Sequence, residues 1–359
     1  MLLGLRNSLD FAILDLAFLF FLSSSYSSFQ SKDVELSSNI VEKEYSVSSL
    51  DSLVNLESAR YEFESKRIPV LMFHNFADKE DRYTISPENF KKLLFDLYVN
   101  DFYSVSLSEF YEGDFSKVPV GKKPVLFTFD DAGPGQFMLR SDGSICDNSA
   151  VGILEKFYDD FDFGRGGVFF VSYGTPNNFR LPFMQDDLAS DKMKMLVDLG
   201  YDLAHHTVLH PNNARASKNN IFEQHVLSEA LFHYLLGDRV DKLNVSSFAH
   251  PFGASPSNGE VFDYLSGKYD VVFDAWGGAS RHSLSSSFDK YRIPRIEITY
   301  HTRNLVVDSK DLYVVTDDTK NFYAFKHGFQ RSNSDLKRIS PLFVDRIKES
   351  GLVSPLIFY

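Results

Sequence analysis

Two adjacent carboxylates, Asp130 and Asp131, close the apolar run Pro124-Val125-Leu126-Phe127-Thr128-Phe129, and three histidines, His205, His206 and His210, fall within one short stretch further along. Imidazole and carboxylate are the donors that hold a borderline divalent ion, and two imidazoles with one carboxylate leave the second carboxylate free to act as a base. Those residue types point to metal-assisted hydrolysis. Neighbouring side chains on a strand face opposite ways, so Asp130 and Asp131 can serve one site only where the strand ends and the backbone turns. Ala132-Gly133-Pro134-Gly135 follows at once and supplies that turn. His206 and His210 stand four apart, which on a helix would share a face, but Pro211 disfavours the α conformation at His210 and puts the pair on a tight loop at a strand end.

The elements around these residues must bring two strand ends together. Residues 125–129 are apolar on both faces, as in a strand of a parallel sheet or barrel, and the C-terminal ends of such strands are where barrels gather their chemistry. Residues 193–199 read as the last turns of a helix closed by Gly200, and 201–204 as a strand running into His205. Further strands are predicted at 70–74, 168–171, 246–251, 271–275 and 291–299, with helices at 88–100, 150–157, 187–199 and 220–236. Alternating strands and helices predict an α/β fold with a parallel sheet. Residues 133–148 make a connection longer than a barrel needs, and are expected to edge the substrate groove.

From about residue 68 to 298 the chain resembles the polysaccharide deacetylases of the NodB-homology type, carbohydrate esterase family 4. Their T/S-F-D-D motif stands as Thr128-Phe129-Asp130-Asp131, and their H-S/T-x-x-H motif as His206-Thr207-Val208-Leu209-His210. Ile68-Pro69-Val70-Leu71-Met72-Phe73-His74 is similar to the family's opening strand, and Ile85-Ser86-Pro87-Glu88-Asn89-Phe90 to the start of its first helix. Gly167-Val168-Phe169-Phe170-Val171 is similar to the strand after the aspartates, and Phe248-Ala249-His250-Pro251-Phe252-Gly253 to the Pro-Tyr-Gly segment. The resemblance implies an irregular (β/α)7-type barrel and an N-acetylated glycan as substrate. It also implies Asp131, His206 and His210 as ligands of one divalent metal ion, with Asp130 as general base. Zinc is the expected ion, although cobalt, nickel or iron would accept the same donors. An ion on three protein ligands keeps an open position for water and lowers its pKa.

The chain departs from the family in several places. The late Leu-x-His motif, which carries the general acid in many members, is missing; Tyr291-Arg292-Ile293-Pro294-Arg295-Ile296-Glu297-Ile298 stands there instead. This resembles the branch of biofilm poly-N-acetylglucosamine deacetylases, in which strand order is permuted and a histidine on the opening strand takes that place. His74 is therefore the candidate acid, the alternative being a histidine packed at the barrel mouth. The arginine that precedes Pro-Tyr-Gly and orients the base is replaced by Ala249. Arg295 is the candidate substitute that holds Asp130 ionised, against the alternative of a surface arginine. Ala132 replaces the usual glycine, a change in backbone freedom. His250 is expected to pack rather than reach the site, and Trp276, the one tryptophan, either walls the acetate pocket or belongs to the core.

With 359 residues and 43% hydrophobic content, the chain can bury the core of a single barrel. A net charge of −12 argues against a nucleic-acid surface and makes an anionic polymer an awkward substrate. One cysteine, Cys146, excludes an internal disulfide and any CxxC metal site. Arg6, the apolar stretch at 11–22 and the serines that follow predict a signal peptide or N-terminal anchor over 1–25, and so an exported protein of the periplasm, cell envelope or outside. The apolar stretch is short and holds Asp15, which speaks against a transmembrane helix, and no cysteine follows it to carry a lipid. Any membrane association is expected there, and a monomer is expected. A Ser/Glu-rich linker is predicted at 26–66, the barrel at 67–304, and a C-terminal extension packed on the barrel at 305–359, with a strand at 311–315 and a helix at 341–348. Two other functions compete with a deacetylase of peptidoglycan or a related glycan: a non-catalytic glycan-binding descendant, and a hydrolase of small cyclic amides. A binding module has no need of Asp130, which favours the enzyme.

Overall fold

The computed structural model describes residues 50–299, 311–320 and 322–323. The expected signal segment and the helix at 341–348 lie outside the described residues. Seven parallel strands line the barrel: β1 (Val70–Phe73), β2 (Lys123–Asp130), β3 (Val168–Val171), β4 (Asp202–His205), β5 (Ser247–Ala249), β6 (Val271–Phe273) and β7 (Ile296–Glu297). They neighbour one another in chain order from β1 to β6, and β7 returns to the side of β1. A parallel bridge between Phe273 and Ile293 joins the last two staves, with Ile293 N–H donating to Val272 O at 3.0 Å. The predicted strand at 291–299 shrinks to β7 and this bridge because Pro294 has no N–H to continue the ladder. Likewise the predicted strand at 246–251 stops at Ala249, where Pro251 opens a 3-10 turn.

The period-two rule assigns every side chain of these strands. Leu126 and Val168 belong to the apolar cluster that fills the barrel, together with Val70, Phe170, Ala204, Ala249 and Phe273. Their neighbours Leu71, Phe127, Phe129, Phe169 and Leu203 face outward into a second cluster with the helices. Helix α2 (Pro87–Val99) contributes Phe90, Leu93, Leu94 and Leu97 to that layer, and starts on the Ser86 hydroxyl, which accepts the Asn89 N–H. Each fully buried Phe or Leu there is worth about 1.5–3 kcal/mol of transfer free energy. A further strand, Phe102–Ser104, pairs with the start of β2, and a short helix, α3 (Leu107–Glu112), follows through a capping box between Ser106 and Glu109. Behind the strands stand α4 (Ala150–Asp160), α5 (Ala189–Leu199), α6 (Lys218–Leu236) and α7 (Gly259–Lys268). Among the described residues no helix is long and apolar enough to cross a membrane.

Within the expected linker, Leu50–Ser65 forms helix α1. Serine and glutamate content suggested a solvated chain, but Ala59 and Phe63, four apart, are both buried. The Glu64 carboxylate accepts the Ser286 N–H at 2.8 Å and the Ser285 hydroxyl at 2.8 Å. Residues 311–315 do not form the expected strand: Leu312 makes a single parallel bridge to Arg67, and the chain continues as an extended strap whose Val315 exchanges hydrogen bonds with Gly121 and Lys122.

Candidate active site

Asp130 follows Leu126 and Thr128 into the barrel by alternation, and its side chain is 3% exposed. The strand ends there. Asp131 turns on φ 77° and Ala132 on φ 48°, so the second carboxylate swings to the same end of the barrel as the first. Ala204 and His206 share an inward parity on β4 and just beyond it, which sends His205 the other way. His205 meets Ser228 of α6 at 2.9 Å and takes no part in the site. Thr207 at φ 63° and His210 at φ 51° fold the histidine loop back on itself, as Pro211 requires of a non-helical pair. His206 Nε2 and His210 Nε2 come within 3.2 Å of each other, and Asp131 Oδ1 lies 3.6 Å and 3.3 Å from them.

Three ligand atoms of Asp131, His206 and His210 lie within 4.8 Å of one another, the one such group of acidic, histidine or cysteine residues among the described residues. The donor set suits a divalent cation. His206 Nδ1 lies 2.8 Å from Ala249 O, and a proton held there leaves Nε2 with a free lone pair. Burial, with His206 alongside, pushes the His210 imidazole down to about 4, which keeps it neutral at physiological pH. Two imidazoles and a carboxylate converging on one point is the arrangement a zinc-type ion takes.

Asp130 sits beside this triad within a buried ion pair. Arg295 Nη1 donates to Oδ1 at 2.7 Å and Nη2 to Oδ2 at 2.9 Å, a two-pronged fork. Its Nε donates to Asp274 O at 2.7 Å, and Nη1 also reaches the Thr128 hydroxyl at 3.2 Å. Arg295 reaches the barrel interior by the parity it shares with Ile293 and is 1% exposed, so the surface alternative is excluded. At the position where the family carries its arginine, Ala249 is fully buried, and the guanidinium comes instead from beside β7. Burial alone would raise the Asp130 pKa, but Arg295, then His206 and His74, outweigh it and hold the carboxyl well below the ordinary range. Asp130 Oδ2 lies between two imidazoles, 3.9 Å from His206 Nε2 and 4.0 Å from His74 Nε2. His74 shares the inward parity of Val70 and stands edge-on to Tyr83 at 5.3 Å.

Trp276 is 54% exposed, which excludes the core alternative, and Gly253 lies close under its ring. Phe252, also exposed, meets the His210 ring at 4.4 Å. His250 points outward with Phe248, as alternation demands, and lies buried 3.4 Å from Asn213 Nδ2. Two residues escaped the sequence reading. Gln136, fully buried in the loop after β2, donates through Nε2 to Asp130 O at 2.5 Å and to His74 O at 2.6 Å, tying β1 to β2. Arg180 donates to the carbonyls of Asp131 and Ala132. Both act on backbone oxygens, which leave no mark in a sequence; a glutamine soon after an Asp-Asp turn was the faint signal available. Cys146 is a free, partly buried thiol in the same loop, away from these contacts.

No protein-family model and no curated protein sequence matches the chain. Solved structures do. The Streptococcus pyogenes deacetylase PplD, in complex with acetate, is 20% identical and covers 67% of this chain and 96% of its own, with a TM-score of 0.50. IcaB from Ammonifex degensii is 19% identical over 68% of this chain and 97% of its own, at a TM-score of 0.48. BC0361, a polysaccharide deacetylase from Bacillus cereus, is 19% identical over 72% of this chain and 69% of its own, at 0.47. The chain therefore carries the (β/α) barrel fold of the NodB-type polysaccharide deacetylases.

Proposed function

We propose that the protein is a metal-dependent deacetylase that removes acetyl groups from N-acetylated amino sugars of peptidoglycan or a related envelope polysaccharide. The observation that carries this reading is the convergence of Asp131, His206 and His210 beside a second carboxylate, Asp130, held ionised by Arg295. A glycan-binding descendant would gain nothing from burying Asp130 and Arg295 together, because desolvating both charges costs several kcal/mol per ion before their attraction repays it.

Asp131, His206 and His210 are assigned as the metal ligands. When bound, the ion acidifies a water molecule and polarises the acetamido carbonyl. Asp130 is assigned as the base that takes the proton from the attacking water. Arg295 keeps this carboxylate ionised and fixes its plane, so its oxygens are presented to the site in one orientation. His74, at the other side of Asp130 Oδ2, is assigned as the acid that delivers a proton to the amine nitrogen. Exposed Phe252 and Trp276 present apolar ring surface at the same end of the barrel. Export to the envelope and a zinc ion complete the reading.

The test is acetate release from N-acetylglucosamine oligomers and from peptidoglycan, with protein stripped of metal and then reloaded with zinc. Release that returns with zinc supports the deacetylase and begins to identify its polymer. Zinc binding with no release from either glycan would shift the assignment to a glycan-binding protein or to a hydrolase of cyclic amides.

A further inference from the structure

Asp131 presents its carboxylate from a backbone that side-chain-bearing residues rarely adopt, with φ 77° at Asp131 and 48° at Ala132. A left-handed pair of this kind persists only where its surroundings over-determine it, and glycine, which takes such values freely, is at neither position. The surroundings here converge on the two peptide oxygens. Arg180 Nη2 donates to Asp131 O at 2.9 Å and Nη1 to Ala132 O at 2.8 Å. The Ser172 hydroxyl donates to Asp131 O at 3.3 Å, and the Phe183 N–H to Ala132 O at 2.8 Å. A planar guanidinium fork matches two oxygens side by side, whereas an ammonium is a point donor and reaches them singly. Arg180 is itself fixed at the exit of a tight hairpin, Gly174–Thr175 against Asn178–Phe179, with its N–H on Tyr173 O at 2.9 Å.

We propose that Arg180 is a positioning residue for the metal site: its fork on the carbonyls of Asp131 and Ala132 locks the left-handed turn and so aims the Asp131 carboxylate at His206 and His210. The inference rests on the assignment of these three residues as metal ligands. It makes the hairpin at 174–179 part of the metal-binding apparatus, although no side chain of the hairpin ligates. Without the fork each of the two oxygens keeps a single partner, the Ser172 hydroxyl on Asp131 O and the Phe183 N–H on Ala132 O, and the carboxylate is held less firmly in the triad before any ion arrives.

The experiment measures zinc affinity of the stripped full chain by competition with a chromophoric chelator, alongside the absorption spectrum of the cobalt-loaded protein. Arg180→Met is expected to weaken zinc binding by roughly 10–100-fold, the range found when groups that orient ligands are removed, and to alter the cobalt bands. Arg180→Lys, which keeps the charge and one hydrogen bond, is expected to fall between Met and wild type, and it carries the test if the Met variant does not fold. Ala132→Gly in the Arg180→Met background is expected to recover part of the loss, because glycine takes the turn without a clamp. A purely structural role would lower the melting temperature and leave zinc affinity and cobalt bands of the folded protein unchanged. Wild-type zinc binding matched within twofold by Arg180→Met, or by Arg180→Lys where only that variant folds, overturns the proposal alone. No zinc binding by the wild type overturns the metal assignment and this inference with it.

Discussion

At the C-terminal ends of the barrel strands, Asp131, Ala132, Phe183, Met184, Thr207, His210 and Phe252 all hold positive φ, seven of the eight non-glycine residues that do so among the described residues. At the N-terminal ends the residues relax into ordinary packing. There Phe63 of α1 lies 6.1 Å from Tyr313 of the strap and from Tyr323 in the helical segment beyond it, and Phe115 meets His282 edge-on at 5.2 Å in the same group. Backbone strain and the buried ion pair gather where the candidate chemistry is, whereas this aromatic group lies where nothing reactive stands. The difference shows how such a barrel tolerates an expensive site. An ion pair as deeply buried as Asp130 and Arg295 is weak evidence of stabilisation, whereas each buried aromatic contributes a few kcal/mol by transfer alone.

Substitutions at the two ends should therefore separate activity from stability. The largest effects are expected at the residues assigned as ligands: His206→Ala or His210→Ala should lose zinc and reduce acetate release to background. Unchanged zinc stoichiometry by elemental analysis would remove them from the ligand set. His74→Ala should lower kcat by about 10²-fold or more with a smaller change in KM, the behaviour of a lost general acid. An unaltered kcat would make His74 a packed histidine of the barrel mouth.

At the opposite end, Phe63→Ala should cost about 3–5 kcal/mol of stability in denaturant titrations while kcat/KM of the folded fraction stays at the wild-type value. A fall in kcat/KM without a fall in stability would couple the two ends and break the contrast. The smallest effect is expected at Asp202, at the start of β4. Burial pushes its carboxyl from 3.8 up to about 6, opposed by the Leu107 N–H that it accepts. Between those values the folded chain keeps a proton that the unfolded chain has released, so stability from this group falls as pH rises through the window. Asp202→Asn keeps an acceptor for Leu107 and should stabilise by about 1–3 kcal/mol at pH 7, with no gain near pH 4. An equal gain at both pH values would show that titration is not the cause.

The strands and most of their partner helices were legible in the sequence because apolar runs and alternation are local signals. The site was legible in its donors. Asp130, Asp131, His206 and His210 carry their chemistry in their side chains and stand at strand ends that Gly and Pro mark. Arg295 could be named only as a candidate, since a guanidinium can enter a barrel or leave it, and parity with Ile293 decides the matter only once β7 is placed. Gln136 and Arg180 were missed because they bind carbonyls, which every residue has. Helix α1 was missed because its one buried edge, Ala59 and Phe63, is narrow and meets partners more than two hundred residues away.

The most direct test of the division of labour within the site is Asp130→Asn, measured for zinc per chain and for acetate release on the same sample. Asparagine keeps an oxygen for the Arg295 fork and removes the base. One zinc per chain with release lowered by roughly 10²–10⁴-fold is the predicted result. Loss of zinc from this variant, or acetate release at the wild-type rate, would contradict the assignment of Asp130 as base beside a site formed by Asp131, His206 and His210.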